Sequence, residues 1–176
     1  MNAGQMLVGP GLKAFVLLGV EPEFDSANPT AAASAILGAE MVVAMSPFKT
    51  AATEYADVIL PISPFSETSG TFVNAEGRVQ SFHGVVKPLG DARPAWKVLR
   101  VLGTMLGLPN FGFDTIEEVR AAALPADITA RLSNACTAAV DVSPAATPVT
   151  ASIYQLDGLV RRAPSLQATA DAKGGC

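Results

Sequence analysis

Short apolar runs alternate with polar, proline-marked breaks along the first half of the chain. Lys13–Val20 (KAFVLLGV), Met41–Met45 (MVVAM) and Asp57–Ile62 (DVILPI) are nearly continuous apolar stretches. Their length, and their bounds at Gly11, Glu21-Pro22, Ser46-Pro47 and Pro64, predict buried strands rather than helices. Between the first two, cap and turn signals at Asp25, Ser26, Asn28 and Pro29 precede an alanine-rich helix over Thr30–Leu37 that closes near Gly38. A short helix is expected over Thr50–Ala56. The order is strand, helix, strand, helix, strand. Unbroken apolar strands joined by helices predict a parallel sheet with both faces covered. Ligands of such sheets sit beyond the carboxyl ends of the strands. Those ends are Glu21-Pro22-Glu23, Ser46-Pro47-Phe48 and Ile62-Ser63-Pro64.

The period then changes. In Asp91–Leu108 the residues Ala95, Val98, Leu99, Leu102, Met105 and Leu106 fall on one stripe, while Lys97, Arg100 and Thr104 point elsewhere. This is an amphipathic helix, with Pro94 in its first turn. A further helix is predicted over Asp114–Leu124, where Asp114 and Glu117 have capping-box spacing. One more is expected within Ile128–Val140. From Val142 the pattern dissolves into VSPAATPVTAS, read as an extended linker. Ile153–Ala163 is apolar again but too short to build a core, and ADAKGGC reads as a loose end. The chain therefore divides into an α/β domain over residues 1–125 and a helix, linker and tail over residues 126–176.

Composition sharpens this picture. The 176 residues are 49% apolar and only 16% charged, against about 25% charged in a typical soluble domain. Much of the surface is expected to be covered by something else. The net charge is −4 and no basic stripe occurs, which excludes nucleic acid as a partner. Mean hydropathy is +0.35, yet the best apolar run, Ala14–Val20, is far shorter than the about 20 residues a spanning helix needs. No transmembrane segment is expected. No basic residue precedes Lys13, so no signal peptide is expected either. Two cysteines, Cys136 and Cys176, and a single histidine, His83, are too few for a zinc or iron–sulfur site. No catalytic residue and no metal ligand is assigned.

Gly9-Pro10-Gly11 precedes a strand, the wrong context for a nucleotide-binding loop. The densest chemistry lies in SETSGTFVNAEGRVQSF, Ser66–Phe82. Gly70 and Gly77 permit tight turns. Thr71–Val73 and Arg78–Gln80 are expected to form two short strands around an Asn74–Gly77 turn. Arg78, near Glu67 and Glu76, predicts an ion-paired turn that braces the sheet. The same residues could instead cradle a phosphate-bearing cofactor, and both readings stay open. Glu21, Glu23 and Asp25 could hold a hard cation or act as acid and base, or form a solvated turn. Arg161-Arg162 reads as a partner anchor or as an exposed basic pair. His83 is read as a surface or packing residue.

GVEPEFD (Gly19–Asp25), ADVILPISPFSETSGTFVNAEGRVQSF (Ala56–Phe82) and ARPAWKVLRVLG (Ala92–Gly103) together resemble the molybdopterin oxidoreductase family. Formate dehydrogenases and nitrate reductases share this core pattern. Within the family the finer resemblance is to the large iron–sulfur subunit of bacterial NADH-quinone oxidoreductase, complex I. IYQLDGLVRRAPSLQATADA (Ile153–Ala172) looks like that subunit's carboxyl terminus. The resemblance implies a Rossmann-like parallel sheet layer with carboxyl-terminal helices and an extended tail. It implies a scaffold role in electron transfer from NADH to quinone, with this chain inactive alone. It also implies no cofactor on this chain, since the iron–sulfur clusters belong to an amino-terminal region that these residues do not include. A pterin-site loop at Glu67, Gly70, Thr71, Asn74, Glu76, Gly77 and Arg78 would be vestigial. The implied partners are the other peripheral-arm subunits and the amino-terminal part of the same subunit, at the cytoplasmic face of the bacterial inner membrane. The alternatives are a piece of a molybdenum-dependent enzyme such as a formate dehydrogenase, in which molybdopterin is retained, and a stand-alone interaction module.

Overall fold

The computed structural model describes residues 2–9, 11–124, 126–128, 130, 133 and 152–174. Strands β1 (Ala14–Leu18), β2 (Met41–Ser46) and β3 (Val58–Pro61) form a parallel sheet in the order β1-β2-β3. Helices α1 (Ala3–Val8), α2 (Pro22–Asp25), α3 (Pro29–Leu37) and α4 (Ala52–Tyr55) surround it. The mixed α/β architecture with a parallel sheet follows the expectation. Helix α1 was not foreseen. It is held by a capping box in which Asn2 and Gln5 exchange side-chain and backbone hydrogen bonds.

Strand β1 is shorter than the apolar run because Gly19 turns the chain at φ 60°, a conformation that favours glycine. The expected cover on both faces holds only for the central strand. Val42, Ala44 and Met45 of β2 are buried and pack with Ala32 and Ile36 of α3 and Ala52 of α4 as the core. Among the described residues β1 and β3 each lack a neighbouring strand on one side, and Val16, Leu18, Val58 and Ile59 are exposed. The start of β3 is pinned to β2. The Val42 N–H donates to Asp57 Oδ2 at 2.7 Å, and the Asp57 N–H donates to the Val42 carbonyl at 2.9 Å.

The amphipathic segment forms α5 over Ala95–Met105, with Pro94 as its cap rather than inside it. Residues before it are taken by the sheet. Ile62 and Arg93 form a parallel bridge, and the Ser63 N–H donates to the Arg93 carbonyl at 2.9 Å. Only part of the predicted stripe is covered. Val98, Leu99 and Leu102 are half-buried, whereas Met105 and Leu106 are 80% and 65% exposed. The uncovered end borders a cavity of about 600 Å³ lined by Leu60, Trp96, Val101, Met105 and Phe113. The following helix, α6 (Ile116–Ala123), is capped by Thr115 and Glu118, one residue beyond the Asp114 and Glu117 pair expected. The third hydrogen bond to Glu118, from the Asp114 N–H at 2.7 Å, explains the shift.

After α6, the tail resumes as α7 (Ile153–Leu156), a 3-10 turn (Val160–Arg162), α8 (Pro164–Gln167) and α9 (Ala170–Gly174). The expected loose end is therefore largely helical. Cys136, Cys176, all of the expected linker from Val142 except Ser152, and nearly all of the helix expected over Ile128–Val140 lie outside the described residues. No helix among the described residues is long and apolar enough to cross a membrane.

Gly103 tests the packing of α5. A Cβ there would overlap the Phe111 ring. Overpacking of this kind costs about 1–3 kcal/mol, while alanine gains about 1 kcal/mol over glycine in a helix interior. Gly103→Ala should lower the melting temperature. An unchanged or raised value would contradict the Gly103–Phe111 contact.

Candidate functional site

The predicted polar stretch folds as a hairpin. Strand β4 (Gly70–Val73) pairs antiparallel with β5 (Val79–Phe82), one or two residues offset from the expected bounds. The turn is organised by Asn74 alone. Its Oδ1 accepts the N–H groups of Glu76 at 3.1 Å and Arg78 at 2.8 Å, the local side-chain bonding that makes asparagine a turn residue. Gly77 follows at φ 80°. Gly70 faces Phe82 across the strands, and a Cβ at Gly70 would stand 2.6 Å from that ring. The Phe72 and Phe82 rings stack at 5.4 Å with Phe65 edge-on to both.

The ion-paired turn is corrected by this geometry. Arg78 is exposed, and its guanidinium meets no carboxylate among the described residues. Glu67 instead accepts the Leu89 N–H at 3.0 Å, and Glu76 meets only the Asn74 amide at 3.4 Å. Thr71 and Ser81 join their hydroxyls across the hairpin at 3.0 Å. Glu67 also borders a cavity of about 590 Å³ with Lys87, Arg93 and Lys97, but none of the other six predicted residues reaches it. A pterin cofactor carries phosphate. Here Asn74, Thr71 and Glu67 already have partners within the chain, and two carboxylates outnumber the one arginine. The seven residues do not form a convergent set of donors, so they do not fit that group.

The strongest polar cluster lies elsewhere, at the carboxyl edge of the parallel sheet. Beyond β1 the chain turns at Gly19 and reaches Glu21, Phe24 and Asp25 in and before α2. Beyond β2, the Ser46 hydroxyl accepts the Phe48 N–H at 3.1 Å and sets the loop that carries the Phe48 ring. Onto this edge the tail places Arg161 and Arg162. Arg161 Nη2 donates to Asp25 Oδ1 at 2.9 Å, and its Nη1 lies 3.3 Å from Glu21 Oε1. Arg162 Nη2 lies 2.6 Å from Glu21 Oε2. The two guanidinium groups also lie over aromatic rings, Arg161 on Phe24 at 4.5 Å and Arg162 on Phe48 at 4.7 Å. The side chains of Arg161 and Glu21 are only 5% and 13% exposed. Neither a solvated acidic turn nor an exposed basic pair is found. Each segment is the other's partner.

The charges around this cluster are set by burial and pairing. Burial alone would raise Asp25, but the Glu21 N–H on its Oδ2 at 2.7 Å and the two arginines outweigh that and hold its carboxyl below 3.8. Burial, followed by the charges of Glu23 and Glu21, pushes the Tyr55 hydroxyl up to about 12. The Tyr55 hydroxyl and Glu23 Oε1 are both buried with no hydrogen bond of ordinary geometry. His83 is exposed, follows directly on β5 and belongs to no such cluster. Among the described residues no group of three histidine, cysteine, aspartate or glutamate side chains could hold a metal ion. Sequence offered the two halves of the cluster separately, as an acidic turn that could hold a cation and as an arginine pair that could anchor a partner, and nothing in it joined them.

Two outcomes follow. Asn74→Ala should cost about 1–2 kcal/mol for two lost turn bonds, read as a lower denaturation midpoint, while Arg78→Ala should stay within about 0.5 kcal/mol. A larger loss at Arg78 than at Asn74 would restore the ion-paired turn. The depressed Asp25 should contribute fully above pH 3.8, its ordinary value, and lose that contribution as pH falls further through its folded pKa. Asp25→Asn should therefore lower stability at pH 7 and flatten its fall below pH 3.8. An unchanged acid limb would contradict the Arg161–Asp25 pair.

Comparison with known proteins places this fold. A Staphylococcus aureus (strain USA300) protein provisionally named formate dehydrogenase is 41% identical over 68 residues, covering 39% of this chain and 7% of its own length. A Staphylococcus haemolyticus protein of the same provisional name is 32% identical over 96 residues, covering 54% of this chain and 10% of its own. The chain thus spans a tenth or less of the length of these curated relatives. Acetylene hydratase from Pelobacter acetylenicus superimposes with a TM-score of 0.53 at 26% identity, over 62% of this chain and 16% of that one. Residues 3–105, from α1 through α5, match the molybdopterin oxidoreductase family. The parallel sheet, its carboxyl-edge loops, the hairpin and the amphipathic helix are all inside that match, and the chain belongs to the molybdopterin oxidoreductase family.

Proposed function

We propose that this chain is a scaffold section of the large subunit of a redox enzyme, contributing a sheet layer and docking surfaces while other parts of that enzyme carry the electrons. Two features support this reading. The hairpin's polar groups bond to one another or to the chain. Large apolar side chains at both sheet edges and along α5 stand exposed, as on a surface that another segment or subunit covers.

The enzyme we propose is NADH-quinone oxidoreductase, with the chain in its peripheral arm at the cytoplasmic face of the bacterial inner membrane. The observation that carries this is the tail. The segment that resembles the carboxyl terminus of the large iron–sulfur subunit of complex I is the one whose Arg161 and Arg162 are held by Glu21 and Asp25 of the family sheet. The tail and the sheet layer therefore belong to one design. In this reading the iron–sulfur clusters lie in the amino-terminal part of the subunit, no molybdopterin is bound and the chain alone has no activity.

The staphylococcal relatives favour a second reading more directly, because they carry the name of formate dehydrogenases. There the chain would be a section of a molybdenum-dependent oxidoreductase, and the pterin would be held by residues other than the hairpin.

One purification separates the two. The native gene is tagged, the product is purified from solubilised membranes, and the eluate is assayed for NADH-dependent quinone reduction, formate-dependent dye reduction and molybdenum. NADH-dependent activity without stoichiometric molybdenum is the expected result. Formate oxidation with bound molybdenum would select the second reading. A monodisperse chain with no partner and neither activity would overturn both.

A further inference from the structure

We propose that the carboxyl edge of the β1-β2-β3 sheet is a two-slot guanidinium receptor whose resident ligand is the chain's own tail, so that residues 152–174 close the crevice a ligand of this sheet would otherwise enter. The inference does not depend on which redox enzyme the chain belongs to. Its starting point is the position of the cluster. Open α/β sheets receive ligands beyond the carboxyl ends of their strands, and Glu21 and Phe48 lie on the loops that follow β1 and β2. The occupant comes from 136 residues away along the chain.

Each slot combines a carboxylate edge with an aromatic face. In the first, Arg161 lies on the Phe24 ring with Glu21 and Asp25 at its edge. In the second, Arg162 lies on the Phe48 ring, with Glu21 at one end and the Gly158 carbonyl, 2.7 Å from its Nη1, at the other. A planar guanidinium satisfies both demands at once, through in-plane N–H donors and a flat face for stacking. A lysine ammonium has no flat face and no fork.

The crevice also demands a cation. Glu21, Glu23 and Asp25 crowd one short turn, where Glu23 faces the Tyr55 hydroxyl and Glu21 and Asp25 face the two arginines. With the tail withdrawn, these carboxylates would face one another uncompensated, which is costly at partly buried positions. The docked tail is also braced by its own hydrogen bonds. Asp157 Oδ1 accepts the N–H groups of Leu159 at 2.8 Å and Val160 at 2.9 Å. Gln167 Nε2 donates to the Tyr154 carbonyl at 3.0 Å and the Val160 carbonyl at 2.9 Å. A braced ligand loses less freedom on binding. Any molecule or subunit that uses this edge must therefore displace the arginine pair.

The test supplies the ligand from outside. A fluorescent peptide of residues 152–174 is titrated into the full chain and into the full chain carrying R161A and R162A. The peptide should bind the substituted chain saturably, bind the unsubstituted chain at least about tenfold more weakly because the resident tail competes, and lose at least about tenfold when its own arginines are lysines. Equal binding to both chains, or binding to neither, would overturn the proposal. Should the substituted chain not fold, tryptic cleavage of the full chain decides. E21Q with D25N should speed cutting after Arg161 and Arg162 by about tenfold or more, with cutting after Lys97 unchanged. No acceleration, or the same acceleration at Lys97, would show that no separate latch exists.

Discussion

Glu21 shares its two oxygens between two arginines, and the order of the tail depends on that sharing. A carboxylate as covered as this one is costly to desolvate unless opposite charge and hydrogen bonds replace water. Here Arg161 and Arg162 supply the charge, and the rings of Phe24 and Phe48 shield it from solvent. The consequences run outward in both directions. On one side, Asp25 folds back to accept the Glu21 N–H and fixes α2 beyond β1. On the other, α7 packs against α2 and carries the tail onto the sheet. Removing one partner would leave charge unpaired at the largely covered Glu21 and Arg161, so the cluster behaves as a unit.

The second organising feature is what the fold leaves open. Among the described residues three strands give the sheet two edges, and β2 alone is enclosed. Val16 and Leu18 on one edge, Val58 and Ile59 on the other, and Met105 and Leu106 on α5 face outward. A surface this apolar, in a sequence with so little charge, has the character of one that a neighbouring segment or subunit covers. The proposed scaffold role is the functional form of that physical statement.

Much of the fold was legible because it depends on local pattern. The three strands have the length and apolar continuity of parallel-sheet strands, and the α5 stripe has the period of a helix. The boundaries moved where a tertiary bond competed. Residues before Ala95 joined the sheet through Ile62 and Arg93, and Glu118 rather than Glu117 closed the cap of α6. The site was legible in one half only. Asn74 and Gly77 declared a turn, but proximity in sequence suggested that Arg78 pairs with Glu67 and Glu76, and the hairpin aims them apart. The acidic turn at Glu21–Asp25 and the basic pair at Arg161-Arg162 were each visible alone. Their union depends on how the chain returns across the sheet, and no local pattern carries that information.

The most direct measurement of this account is a double-mutant cycle between Glu21 and the arginine pair, read by urea denaturation of the full chain. Three chains are compared with the unsubstituted one: E21Q, R161A with R162A, and all three changes together. Groups that share one buried contact should show a coupling energy of about 1–3 kcal/mol, so the combined loss falls well short of the sum. Additive losses would mean that Glu21 and the tail arginines do not sense one another, and the account of a sheet edge closed by its own tail would fail.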